Sequence, residues 1–362
     1  MVVIPRYRHS EKGCKEAKKV ELEKFESFDA FEEVPDEGQE KLGTNWVLVE
    51  KIKDGKALIK ARLTIRGDLE DVEGIRTDSP TVRKGNVKLL MMISAAENWR
   101  IKSSEVRSAF LQSVPLEREV HVLPPREKRV PGTIWKLKKH VYRLVDASRG
   151  FHLSLIGEIH KLGCNQNTMD SAMFMYFSKQ TDKKAEIKQP LGIAVTHVDD
   201  ILHAGTSSFD KDVMNPLKQV FQFGSEEEDS FRYIGMNIQQ CNDHIRVDQN
   251  HYVQALDIPS LDEIRNVNED ELMDADGQTE FRSLVAKILQ VGYQSRPDVC
   301  FEAKALSTFY GKATRKQFKL VIKKMIKLKT DTTEMVLPDI GDISEWGLVA
   351  HGDAGIKSMP DN

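Results

Sequence analysis

Strands interleaved with helices over the first two thirds of the chain, then a run of helices, predict an α+β protein. Short apolar or alternating runs bounded by Gly, Pro and Asp carry the strand half of that expectation. Beyond Thr279 the apolar residues recur at helical spacing instead. The chain has 362 residues, enough for about two domains and a substantial core.

Taken in order, the charge-dense stretch up to Glu40 holds a helix over 14–30 and a loop at Pro35-Asp36-Glu37-Gly38. Trp46 to Ile52 is a strand, Asp54-Gly55 a hairpin turn, and Ala57 to Arg66 the returning strand. Asp78-Ser79-Pro80-Thr81 is a loop, and 87–97 a helix with Val87, Leu90, Met91 and Ser94 on one side. A strand, an amphipathic element at 105–112 and a strand at 119–123 follow, before Pro124-Pro125 and Trp135-Lys136-Leu137. Residues 142–163 read as helix, 206–230 as a charged linker, and Tyr233 to Ile238 as a strand. Thr279 caps a helix containing Phe281, Leu284, Val285, Ile288 and Leu289. Arg296-Pro297 opens a second, and Thr314 to Gln317 is a capping box before a third, with Phe318, Val321, Ile322 and Met325 inside.

Composition bounds the function. Hydrophobic residues make up 40% and charged residues 30%, the balance of an ordinary soluble protein. A net charge of −3 gives no global basic signal, so affinity for nucleic acid has to come from local patches. Cys14, Cys164, Cys241 and Cys300 are scattered, without zinc-ligand spacing, which fits a reducing compartment. No stretch approaches membrane-spanning length, and the expectation is an intracellular chain, not secreted and without a membrane partner.

The chemistry concentrates at His197-Val198-Asp199-Asp200, between two apolar runs that read as strand, tight turn, strand. Adjacent carboxylates at a hairpin tip repel one another unless a cation lies between them, although Asp is also simply a good turn former. Lys60, Arg62, Thr64 and Arg66 share one face of the returning strand, with Ile59, Ala61, Leu63 and Ile65 on the other. Cations spaced about 7 Å apart could straddle a polyphosphate, or merely keep a strand edge soluble. Glu105 closes a strand, with Phe110 five residues later, and Tyr142 to Arg149 form a polar turn opening a helix.

In this order the segments resemble the reverse transcriptase of copia-type LTR retrotransposons. The resemblance rests on Glu33 to Gln39, Thr44-Asn45-Trp46-Val47, Lys60-Ala61-Arg62-Leu63, Arg66-Gly67, Thr77 to Thr81 and Ala109-Phe110-Leu111-Gln112. It continues through Leu137-Lys138-Lys139, Asp146-Ala147-Ser148-Arg149, His197 to Asp200, Tyr233-Ile234-Gly235, Phe281 to Val285, Arg296-Pro297-Asp298 and Gly352-Asp353-Ala354. It implies a right-hand polymerase of fingers, palm and thumb with an antiparallel palm sheet. A lead-in at 1–43 would precede fingers and palm at 44–205. Primer grip and thumb would occupy 206–275, a helical connection 276–335, and a truncated start of ribonuclease H 336–362. Two Mg²⁺ ions, or Mn²⁺, would be held by Glu105, Asp199 and Asp200. Lys60, Arg62, Arg66, Phe110, Asp146 and Arg149 would bind the nucleotide, with Phe110 crowding a ribose 2′-hydroxyl. Tyr233, Ile234 and Gly235 would hold the primer end. The implied partners are an RNA or DNA template–primer and dNTPs, in the cytoplasm (in a virus-like particle) or the nucleus.

Departures from the family pattern are informative. Glu105 replaces Asp, displacing the carboxylate by roughly 1.5 Å, and a misplacement of about 1 Å costs on the order of 10²-fold in rate. Arg143 stands where the family has Gly, which strains any site needing a positive φ. Phe151 replaces a Trp, and Ser113 a Gly. The expectation is an impaired polymerase. The other readings are a catalytically dead nucleic-acid-binding remnant or host-retained protein, and an unrelated metal-dependent enzyme that explains only the Asp-Asp turn. Lys316, Lys319, Lys323 and Lys327, with Lys324 and Lys329 nearby, line the outer side of the third C-terminal helix, as a duplex-facing stripe or a solvated face. Asp353 matches the first acid of ribonuclease H, and alone it supplies no such activity. The chain reads as a fragment of a longer polyprotein.

Overall fold

A computed structural model describes residues 2–53, 56–177, 189–261 and 268–347. The Asp54-Gly55 turn and Asp353 lie outside the described residues. Strand β1 (Val2–Val3), helix α1 (Lys12–Ser27) and strand β2 (Phe31–Pro35) precede a long hairpin of β3 (Thr44–Lys53) and β4 (Lys56–Ile65). Helix α2 (Lys84–Ala96), strands β5 (Lys102–Val106), β6 (His121–Val122) and β7 (Thr133–Leu137), and helix α3 (Ala147–Lys161) follow. Next come β8 (Cys164–Gln166), β9 (Met173–Phe177), β10 (Pro190–His197) and β11 (Asp200–Gly205).

The central sheet has the order β12-β5-β11-β10-β9-β8, where β12 is Phe223–Glu228, and every neighbouring pair is antiparallel. With a side-chain period of two, Ile193, Val195, Leu202 and Ile101 fall on one face and pack with Val87, Leu90 and Met91 of α2. Val106, Ala194 and Ile201 fall on the other, against Phe151, Leu155 and Ile159 of α3 and Phe209, Leu217 and Phe221 of the segment after β11. A second antiparallel sheet joins β13 (Ser230–Tyr233), β14 (Met236–Gln240), β15 (His244–Asp248) and β16 (Met335–Pro338). It adds Tyr233, Ile238 and Val247 to the α2 side of the core. Helices α7 (Ala275–Gln294), α8 (Cys300–Ser307) and α9 (Arg315–Thr330) enclose a separate core of Phe281, Leu284, Ile288, Phe318, Val321 and Met325. The architecture is α+β, as the sequence predicts. Among the described residues no helix is long and apolar enough to cross a membrane.

Three expectations need correction. The charged linker at 206–230 is ordered: α4 (Ser207–Phe209), a π-helical stretch at Asp210–Met214 and α5 (Asn215–Val220) run on from one another, and β12 completes the central sheet. Edge placement explains the misreading, because Glu226 is held by Ser104 at 3.1 Å and by Lys218, while Gly224, Ser225, Glu227 and Glu228 stay exposed. The sheet therefore runs past residue 205. The strand at Tyr233 to Ile238 is instead two strands around a turn at Ile234-Gly235 (φ +41° and +84°). Helix α7 begins earlier, capped by Asp274, whose carboxylate accepts from Gly277 N at 2.8 Å, and Thr279 lies inside it.

Candidate active site: an acidic turn beside a basic hairpin

Strands β10 and β11 pair through His197 and Asp200, leaving Val198-Asp199 as a two-residue turn. Val198 has φ +58°, a costly conformation for a β-branched residue that two-residue hairpins demand. Across the sheet Asp200 is the register partner of Glu105, and Val106 N donates to Asp199 O at 2.9 Å. Opposed residues of an antiparallel pair share a face, so the backbone brings all three predicted acids together.

Their electrostatics are those of crowded carboxylates. Burial pushes the Asp200 carboxyl up to about 6, and the charges of Asp199 and then Glu105 add to the rise. Burial also raises Asp199; a backbone hydrogen bond opposes this, Glu105 adds to it, and Arg62 and His197 draw it back. The donor set is all oxygen and suits a hard divalent cation. The side chains do not yet form a cage: Glu105 is exposed, and no three His, Cys, Asp or Glu among the described residues converge closely enough to hold a metal ion.

The β3–β4 hairpin brings two of its three predicted cations to the acids. Burial lowers the Lys60 ammonium, with Arg62 and Lys51 adding and the charge of Glu105 opposing. The Arg62 guanidinium lies 5.5 Å from the centroid of the Tyr142 ring. Arg66 is tied off instead, in a bidentate pair with Asp68 at 2.9 and 2.8 Å.

Phe110 sits in a short 3₁₀ turn, edge-on to Tyr142 with ring centroids 5.4 Å apart. Tyr142 thus links the fourth predicted segment to both Arg62 and Phe110, although its sequence context marked it only as part of a motif. Burial, followed by the charge of Glu21, raises its phenol to about 12. Tyr142 O accepts from Ile65 N at 3.0 Å, and a Cβ added at Gly67 would come within 2.1 Å of Arg143 O. That close approach accompanies φ +69° at Arg143, the left-handed backbone that the sequence marks as a strain for any residue but Gly.

Asp146 and Arg149 are engaged within the protein. Asp146 is buried and accepts from Arg118 at 2.8 and 3.0 Å, with His140 at 3.7 Å. Burial opposes its charge, but His140 nearby and the hydrogen bonds from Arg118 prevail and hold the carboxyl far below the usual range. Arg149 donates to Asp78 at 2.8 Å, and Arg76 grips the same carboxylate. These groups border an open pocket of about 420 Å³. No local pattern in the sequence marks Arg118 as the counter-ion.

Tyr233 is buried in one core with Val195 and Leu202 of the β10–β11 hairpin, and burial and then the charge of Asp200 push its phenol upward. On α9, Lys319 is paired with Glu269 at 2.7 Å and Lys324 with Glu302, while Lys316, Lys323 and Lys327 are exposed and without an ion pair among the described residues.

An acidic turn on an antiparallel sheet, within electrostatic reach of two cations of the β3–β4 hairpin, is the class of site that this fold builds. Comparison with known families narrows the class: the chain belongs to the reverse transcriptase (RNA-dependent DNA polymerase) family, whose sequence model matches residues 29–262. Within that family it is of copia type. It is 23% identical over 223 residues to the retrovirus-related Pol polyprotein from transposon RE2 of Arabidopsis thaliana, covering 59% of this chain and 15% of that protein. It is 22% identical over 289 residues to the corresponding polyprotein from transposon RE1, covering 74% and 19%. The chain therefore spans less than a fifth of the length of these relatives. Among solved structures, a foamy viral protease-reverse transcriptase in complex with double-stranded DNA matches at TM-score 0.45 and 8% identity, over 88% of this chain and 49% of that one. Telomerase from Candida albicans matches at TM-score 0.35 and 8% identity, over 88% and 64%.

Proposed function

We propose that the chain carries the nucleotidyl-transfer site of a copia-type element, adding dNTPs to a primer 3′-hydroxyl on an RNA or DNA template. The observation that supports this reading best is the register of Asp200 with Glu105, Asp199 beside them, and the electrostatic reach of Lys60 and Arg62 to the same acids. In this reading the central sheet is the palm and the β3–β4 hairpin the fingers. Asp199, Asp200 and Glu105 would be the residues to hold two Mg²⁺ or Mn²⁺ ions. When bound, these supply activation of the primer hydroxyl and charge neutralisation of the departing pyrophosphate. Lys60 and Arg62 steady the triphosphate, and Phe110, backed by Tyr142, crowds a ribose 2′-hydroxyl. Arg66, Asp146 and Arg149 serve by shaping the site, since each is already paired internally.

The site is also proposed to be impaired. No three acids among the described residues converge closely enough to hold a metal ion, and the longer side chain of Glu105 misplaces a carboxylate for an ion that demands octahedral geometry. Primer extension with Mg²⁺ tests both halves of the proposal. Weak synthesis by the parent, on the order of 10²-fold increase with Glu105→Asp and none with Asp199→Asn are expected. Robust parental synthesis would remove the impairment. Binding of template–primer without extension by any variant would favour the nucleic-acid-binding remnant.

A further inference from the structure

We propose that Gln249 and Gln294 are positioning residues for the primer strand, holding the Ile234-Gly235 turn so that its backbone meets a phosphodiester; the proposal rests on the polymerase reading above. Each carbonyl of the turn accepts from a buried glutamine: Ile234 O from Gln294 Nε2 at 3.1 Å, and Gly235 O from Gln249 Nε2 at 3.3 Å. Gln249 Nε2 also donates to Gln294 Oε1, and Gln249 Oε1 accepts from Ser295 Oγ at 3.1 Å. The three side chains are 3%, 3% and 1% exposed, so water does not compete for these bonds.

The two anchors come from different elements. Gln249 follows β15 and stands immediately before helix α6 (Asn250–Gln254), while Gln294 is the last residue of α7. That end of α7 is itself docked on α2, where Lys88 Nζ donates to Tyr293 O at 3.2 Å. Residues 294 and 295 also lie beyond the segment matched by the family model, so the helical region contributes to a site otherwise built from residues 29–262. A trans peptide opposes its N–H to its carbonyl. Drawing Ile234 O inward to Gln294 therefore aims Gly235 N–H outward. A phosphate oxygen of a nucleic-acid backbone is the acceptor suited to such a donor, and its recognition is independent of base sequence. The adjoining Tyr233 packs in one core with Val195 and Leu202 of the β10–β11 hairpin, which sets the turn on the side of the sheet that carries Asp200.

The test compares binding of the full chain to a duplex with a recessed 3′ end and to its mirror with a recessed 5′ end, in Ca²⁺ so that no turnover intervenes. Gln294→Glu still accepts from Gln249 but no longer donates to Ile234 O. It should reduce the parent's preference for the recessed 3′ end roughly fivefold, leaving affinity for the mirror duplex unchanged. Ser295→Ala frees Gln249 Oε1, should weaken the preference less, and decides the matter if Gln294→Glu does not fold. An unchanged preference in the folded variants, or a parallel loss for both duplexes, overturns the proposal. A parent protein that binds neither duplex, or both alike, overturns the polymerase reading itself.

Discussion

Backbone strain at Arg143 and electrostatic strain at Asp200 are separate costs built into this fold. Arg143 holds φ +69° with an exposed side chain, so its conformation is imposed by the contact of its carbonyl with Gly67 and not by any packing of its own. A left-handed conformation costs a non-glycine residue roughly 1–2 kcal/mol, and glycine's extra freedom in the unfolded chain returns part of that. Arg143→Gly should therefore stabilise the protein by about 1 kcal/mol, read as a higher urea midpoint at an unchanged slope. Asp200 stores strain of another kind. Its carboxyl is raised to about 6 in the fold, so the folded state binds a proton that the unfolded chain has released. Stability from this group is unaffected below about pH 4, falls as pH rises towards 6, and stays lowered at pH 7. Asp200→Asn should be more stable than the parent at pH 7, with the gain disappearing by pH 4. Equal urea midpoints for the two proteins at pH 7 would contradict that electrostatic account.

At the scale of elements, local chemistry separates what could be read from what could not. The β10–β11 turn and the Thr314 box were legible because each is written in four adjacent residues. Thr314 N donates to Gln317 Oε1 at 2.9 Å, the reciprocal half of the box is formed too, and Phe318, Val321, Ile322 and Met325 face inward as their spacing requires. Thr314→Ala should cost about 1 kcal/mol, measured by urea denaturation, because α9 packs on α7 across one core. By contrast, β12 was hidden: Glu226-Glu227-Glu228-Asp229 has the composition of a linker, and only pairing with β5 makes it an edge strand. The glutamine anchors were invisible for the same reason. Gln249 and Gln294 are 45 residues apart, and nothing near either one announces the other. Asp146 shows the limit of motif reading, since a nucleotide-binding role is expected of it while its charge is taken up by Arg118.

For the whole molecule, a net charge of −3 means that attraction to nucleic acid has to be organised regionally. Lys60 and Arg62 lie within electrostatic reach of the acids, and α9 offers Lys316, Lys323 and Lys327, exposed and unpaired among the described residues. Lys319 and Lys324 belong to a different class, because Glu269 and Glu302 already neutralise them. If α9 faces the duplex in the proposed complex, only the unpaired lysines release counter-ions on binding. The double variant Lys323→Gln, Lys327→Gln should then flatten the dependence of log affinity on log salt by roughly 0.9 per phosphate contact removed. Lys319→Gln should leave the slope as it is, since its charge is already spent on Glu269. Duplex-binding titrations across a salt series distinguish these outcomes. An unchanged slope in the double variant would assign the α9 lysines to solvation and leave the hairpin cations and the Ile234-Gly235 turn to account for template–primer binding.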